Sequence, residues 1–203
     1  MDHPQLFRRF IEQIRPTPSF RQQLRLAHLD LTRRLLGEPR LKPHIVSTFL
    51  QGSYRRSTSI RAAHGKGGSD VDLVVVTRLD PDRHSPERVL KLLTPCLGSH
   101  YETWRAQGRS FGIDLDEIHL DLVIASAPSQ LIPLENESSA DGLEEDSAPT
   151  VGERNAWSSE PLQIPDRTTR RWRPSHPLAQ LAHTRDKNSR CGPPVSAKLS
   201  PPP

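Results

Sequence analysis

The stretch that most constrains this chain is 49–76, FLQGSYRRSTSIRAAHGKGGSDVDLVVV. Asp70 and Asp72 stand two apart, so on a strand both carboxylates face one side. Val71, Leu73 and Val75 then face the other side, toward a core. Two carboxylates side by side at the start of an apolar strand repel each other and resist burial. A divalent cation is the usual reason to tolerate them. Mg2+ takes oxygen ligands and keeps positions open for phosphates. One strand earlier, Gly52 permits a sharp turn and a close approach of backbone to ligand, and N–H groups around Gly52 and Ser53 can hold a phosphate. The stretch therefore reads as strand, tight Gly-Ser turn, short basic segment, Gly-rich loop and second strand. HGKGGS over 64–69 is too Gly-rich for regular structure and reads as a mobile loop. It is no Walker-type phosphate loop, because it lacks the GxxxxGK[ST] spacing and a following helix.

The surrounding elements follow from periodicity. Leu6, Phe7, Phe10, Ile11 and Ile14 are spaced as on a short amphipathic helix over 1–15. Thr17-Pro18 is a helix start, with Thr as N-cap and Pro at the first helical position. That helix should run to about Leu36 and stop at Gly37, burying Leu24, Ala27, Leu31 and Leu35. Residues 44–50 read as the first strand, and the second ends near Thr77. Asp80-Pro81-Asp82 is turn chemistry. A helix over 86–97 packs through Val89, Leu90, Leu92 and Leu93, with Cys96 as a buried thiol. Thr58 is expected to brace the Gly-Ser turn.

A third carboxylate appears further on. Residues 109–113 and 117–125 read as paired strands around an Asp114-Leu115-Asp116 turn. In the second, Ile118, Leu120, Leu122 and Ile124 alternate with His119, Asp121 and Val123, so Asp121 lies on the face opposite the aliphatics. His119 shares that face and reads as an ordinary surface residue.

GSYRRSTSIR followed by DVDLVVV, with HLDLVIAS later, resembles the bacterial cyclic-oligonucleotide synthases related to cyclic GMP-AMP synthase. These are nucleotidyltransferases of the DNA polymerase beta type. The likeness covers 17–126 well and 160–190 weakly. It implies an α+β fold, a mixed or antiparallel sheet flanked by helices. It implies that Asp70, Asp72 and Asp121 are catalytic and hold Mg2+, or Mn2+ in its place. Asp121 would also orient the attacking 3′-hydroxyl. Gly52 and Ser53, with Arg55 and Arg56, would bind nucleoside triphosphate. The implied product is a cyclic nucleotide messenger that acts on an effector protein in antiphage defence. Two other readings stay open: a catalytically inactive remnant, and a protein- or RNA-modifying nucleotidyltransferase of a toxin–antitoxin system.

Charge fits a polyanionic ligand. The formal net charge is +4, and residues 1–63 hold twelve Lys/Arg against four Asp/Glu. Direct nucleic-acid binding is not expected, since neither an RNA-binding motif nor zinc-ligand spacing is present. No apolar run of membrane-spanning length and no signal peptide is visible, so a cytoplasmic location is the default expectation. The expected organisation is a catalytic core over 1–127 and an acidic, mobile insertion over 128–160. The start of an incomplete second lobe over 161–192 and a disordered Pro-rich tail over 193–203 would follow. Trp172 is expected to anchor the third of these. The family continues into a helical bundle, so the chain reads as truncated.

Overall fold

The computed structural model describes residues 3–56, 58–60, 69–132 and 156–190. Helix α1 spans His3–Ile14 and helix α2 spans Pro18–Gly37. The Thr17 hydroxyl accepts the Phe20 N–H at 3.2 Å, which closes the first turn of α2 as its sequence dictates. Strand β1 (Ile45–Gln51) leads directly into a single helical turn, α3 (Gly52–Arg55), where a tight turn was expected. Strand β2 covers Ser69–Thr77. Helix α4 (Pro86–His100) uses the same start as α2: Ser85 accepts the Arg88 N–H at 3.3 Å and Pro86 occupies the first position. Strands β3 (Trp104–Ala106), β4 (Phe111–Leu115) and β5 (Ile118–Ser126) follow. After a 3-10 turn at Ala156–Ser159 come β6 (Leu162–Asp166), β7 (Arg171–Ser175) and α5 (Pro177–Arg190).

The seven strands form one mixed sheet in the order β1-β2-β5-β4-β3, with β6 joined to β5 and β7 to β6. Among the described residues only β2 and β5 run parallel, and the other pairings are antiparallel. This is the α+β arrangement the sequence implies. Period two then sorts each central strand into two faces. Val71, Leu73 and Val75 of β2 and Leu120, Leu122 and Ile124 of β5 face α2 and α4, in a core with Leu24, Leu31, Leu35, Val89, Leu93 and Cys96. Each fully buried aliphatic of this set contributes roughly 1.5–3 kcal/mol of transfer free energy.

The opposite face is divided along its length. Its far half carries Val74, Val76, Val123 and Ala125, which pack with Phe49, Trp157, Leu162, Leu178 and Leu181 in a second core. Residues 156–190, read from sequence partly as linker and partly as the start of another lobe, therefore extend the sheet and cover this half. Trp157 is wholly buried there. Trp172 is an anchor: its indole N–H donates to the His84 carbonyl at 2.9 Å and its ring packs on the first core. The near half of the same face is polar and carries the acids.

One expected turn is displaced, and α1 forms as its periodicity requires. The β4–β5 turn falls at Asp116, in the left-handed region at φ 50°, so Asp114 is a strand residue rather than part of the turn. The apolar stripe of α1 is exposed at Leu6, Phe7 and Phe10. Residues 61–68, 133–155 and 191–203, on which most of the expected Gly-rich loop, acidic insertion and Pro-rich tail fall, lie outside the described residues, whereas Ser69 opens β2.

Candidate active site

The parallel register of β2 and β5 sets the site. Asp70 pairs with His119 and Asp72 with Asp121. In-register residues of neighbouring strands share a face, so all four side chains stand on the polar half of the sheet. Residues far apart in sequence are thus one strand spacing apart, roughly 4.8 Å. On the other side of β2, Gln51 pairs with Asp72, which places the β1–α3 junction beside the same carboxylate.

That junction explains Gly52. Its φ is +72°, which side chains rarely tolerate, and a Cβ built there would overlap the Asp72 carboxylate at Oδ2. The glycine gives the turn its hand and leaves room for the acid. Thr58 braces the segment as expected: its N–H donates to the Ser53 carbonyl at 2.9 Å and its hydroxyl to the same oxygen at 3.3 Å. Arg56 is exposed and draws the Asp72 carboxyl downward in pKa, whereas Arg55 is half-buried.

Burial, Asp121 and Asp70 together hold the Asp72 carboxyl above its usual range, against the opposing influence of Arg56 and His119. Like charges on one face raise the affinity of the group for a proton, and a divalent cation would relieve the same repulsion. Three carboxylates are also the hard oxygen donors that Mg2+ or Mn2+ selects. The donor chemistry fits such an ion. The spacing is looser than a closed chelate: Asp70 is exposed at the rim, and among the described residues no three acidic, histidine or cysteine side chains are gathered closely enough to grip a metal as they stand.

The sequence reading missed what surrounds Asp121. His119 is no plain surface residue: its side chain is 13% exposed, and its Nδ1 donates to Asp114 Oδ1 at 2.6 Å. Asp114 in turn accepts from Arg105 at 2.7 Å. On its other edge, His119 Nε2 lies 3.6 Å from Asp121 Oδ1. Ser110 donates to Gln107 at 2.9 Å and approaches the same Asp121 oxygen at 3.4 Å. The signal was present in the alternation of β4, since Asp114 pairs with His119 once the turn is placed at Asp116.

The chain is similar to known proteins in sequence and in fold. The family model described as the Second Messenger Oligonucleotide or Dinucleotide Synthetase domain matches residues 1–128. A cyclic AMP-AMP-GMP synthase of Enterobacter hormaechei subsp. hoffmannii is 38% identical, and a probable cyclic AMP-AMP-GMP nucleotide synthase of Salmonella paratyphi B is 37% identical. Each match covers 91% of this chain but 56% of the relative, so the chain spans little more than half the length of these proteins. Among solved structures, the Bradyrhizobium diazoefficiens CD-NTase CdnG in complex with GTP superposes with a TM-score of 0.57 at 18% identity, over 90% of this chain and 50% of that one. The likeness is one of fold, and the fold is the polymerase-beta type.

Proposed function

Since the chain belongs to the second messenger oligonucleotide or dinucleotide synthetase family, we propose that it carries the catalytic half of a nucleotidyltransferase. Its substrates are nucleoside triphosphates and its product is a cyclic oligonucleotide, a messenger for an effector protein in antiphage defence. The observation that carries this reading is the register pair Asp72–Asp121 beside the Gly52–Ser53 junction.

Asp70, Asp72 and Asp121 would hold Mg2+ or Mn2+. When bound, such ions offset triphosphate charge and make the acceptor hydroxyl more acidic. The remaining work belongs to the chain. The N–H groups and hydroxyl at Gly52 and Ser53 receive the outer phosphates, and Arg55 and Arg56 add positive charge beside them. Asp121, at the edge toward β4, accepts a hydrogen bond from the acceptor 3′-hydroxyl and orients it in line with the α-phosphorus. The 3′-oxygen forms a bond to that phosphorus, the bond to the β-phosphate bridging oxygen breaks, and pyrophosphate leaves with the electron pair. The hydroxyl proton passes to Asp121 or to water.

Calorimetric titration of ATP and GTP in Mg2+ tests the site, followed by incubation with labelled triphosphates and analysis for a phosphatase-resistant product. Binding should vanish in Asp72→Asn and Asp121→Asn. Unchanged binding in both variants would overturn the assignment. A labelled protein or a lengthened RNA in place of a small cyclic phosphate would replace the product class.

A further inference from the structure

Resting on the reading of Asp121 as an ion-holding and acceptor-orienting carboxylate, we infer that His119 is its positioning residue, anchored from behind by Asp114 and Arg105. The imidazole is the middle of a chain of contacts. A carboxylate can only accept, so Nδ1 donates the 2.6 Å bond to Asp114, and the Nε2 edge is turned toward Asp121 Oδ1 at 3.6 Å, a packing contact longer than a hydrogen bond. The ring is not free to rotate away, because Asp114 is itself held by Arg105 across β3–β4.

The opposite strand is cleared for this arrangement. Gly112 is the β4 partner of Asp121. A Cβ at Gly112 would lie 2.7 Å from Gln107 Nε2 and 2.9 Å from His119 Cε1. Any larger residue would push one of these groups off the space beside Asp121. The second side of that space is supplied by the 107–110 turn. It is tied to the far hairpin by the Arg167 N–H donating to the Gly108 carbonyl at 2.8 Å, and by the Arg167 guanidinium donating to the Gln107 carbonyl. His119 and Ser110 thus bracket one oxygen of Asp121, Oδ1. A carboxylate confined on both sides this way has fewer side-chain positions open to it, so its ligand geometry is set before any ion arrives.

The test uses the full chain and Mn2+ alone as the probe, with the free ion measured by electron paramagnetic resonance and the unfolding midpoint recorded for each variant. His119→Asn keeps an N–H where Nδ1 lies but loses the atom that faces Asp121. His119→Gln places an amide where Nε2 lies. Expected are an affinity loss of about tenfold or more in His119→Asn, recovery of most of it in His119→Gln, and a loss in the same direction in Asp114→Asn. Should His119→Asn fail to fold, Asp114→Asn carries the test with the imidazole intact. Unaltered affinity in all three, with binding abolished in Asp72→Asn, overturns the positioning role and leaves the proposed site standing. Equal losses in the Asn and Gln variants together with lowered unfolding midpoints also overturn it, since His119 would then be a packing group. Mn2+ binding in Asp72→Asn equal to that of the unaltered chain, or no binding by the unaltered chain, removes both readings.

Discussion

The Cα of Gly52 and the carboxylate of Asp72 sit so close that no side chain fits between them. The residue that turns the chain out of β1 and the central acid of β2 therefore define each other's position. Neither could change alone without displacing the pair.

Gly52→Ala is expected to cost about 1–2 kcal/mol for the left-handed backbone alone, measured by denaturant unfolding. The methyl group also moves the Asp72 carboxylate, so Mg2+-dependent triphosphate binding should weaken beyond what the stability loss explains. Binding equal to the unaltered chain would mean that Asp72 has another resting position.

Asp72 should make the protein, in chelator, less stable at neutral pH than in mild acid. Its folded pKa is raised, first by burial and then by Asp121 and Asp70. The folded state therefore binds this proton more tightly than the unfolded chain. The stability this gives is fully present below the ordinary aspartate value of 3.8 and is lost as pH rises through the folded value. Asp72→Asn should raise the unfolding midpoint at neutral pH, with an advantage that shrinks as pH falls. Calorimetric scans across pH measure it, and an Asn variant less stable at every pH contradicts the repulsion.

Tyr101 offers a second titration, remote from the acids. Burial and Asp30 push its hydroxyl up to about 12 despite the neighbouring Arg34. The fold should lose stability as pH climbs from the ordinary value of 10.0 toward that point, because the unfolded chain ionises first. The chain has two tyrosines, and the tyrosinate absorbance step lost in Tyr101→Phe identifies the late one. The hydroxyl is buried without a hydrogen-bond partner, so Tyr101→Phe should be neutral or stabilising by about 1 kcal/mol.

Trp157→Ala tests whether residues 156–190 belong to the same cooperative unit as the central strands. The side chain is wholly buried against Val74, Val76 and Val123. Its removal should cost about 3–5 kcal/mol and shift a single unfolding transition. A separate early transition, with the main one unmoved, would show that 156–190 unfolds independently.

Much of this architecture is local information. Thr17-Pro18 and the spacing of Leu24, Leu31 and Leu35 place α2, because capping and helical periodicity act within a few residues. The alternation of β2 and β5 assigns Asp70, Asp72 and Asp121 to the faces opposite their aliphatics. The errors were also local. A two-residue shift of the β4–β5 turn hid Asp114 as a strand residue, and with it the anchoring of His119. Trp157 was absorbed into an acidic, structureless stretch because nothing near it in sequence shows what covers it.

The order of residues by itself determined which side of each strand carries a charge, since side-chain direction follows from backbone pleat alone. It also put glycine at position 52, a residue that turns the backbone to either hand at little cost. Only the tertiary structure decided that β5 lies parallel beside β2 with Asp121 level with Asp72, and that β4 then supplies Asp114 and an empty place at Gly112. Strand neighbours and their register are set by packing across the whole sheet and both its cores, and no local pattern encodes them.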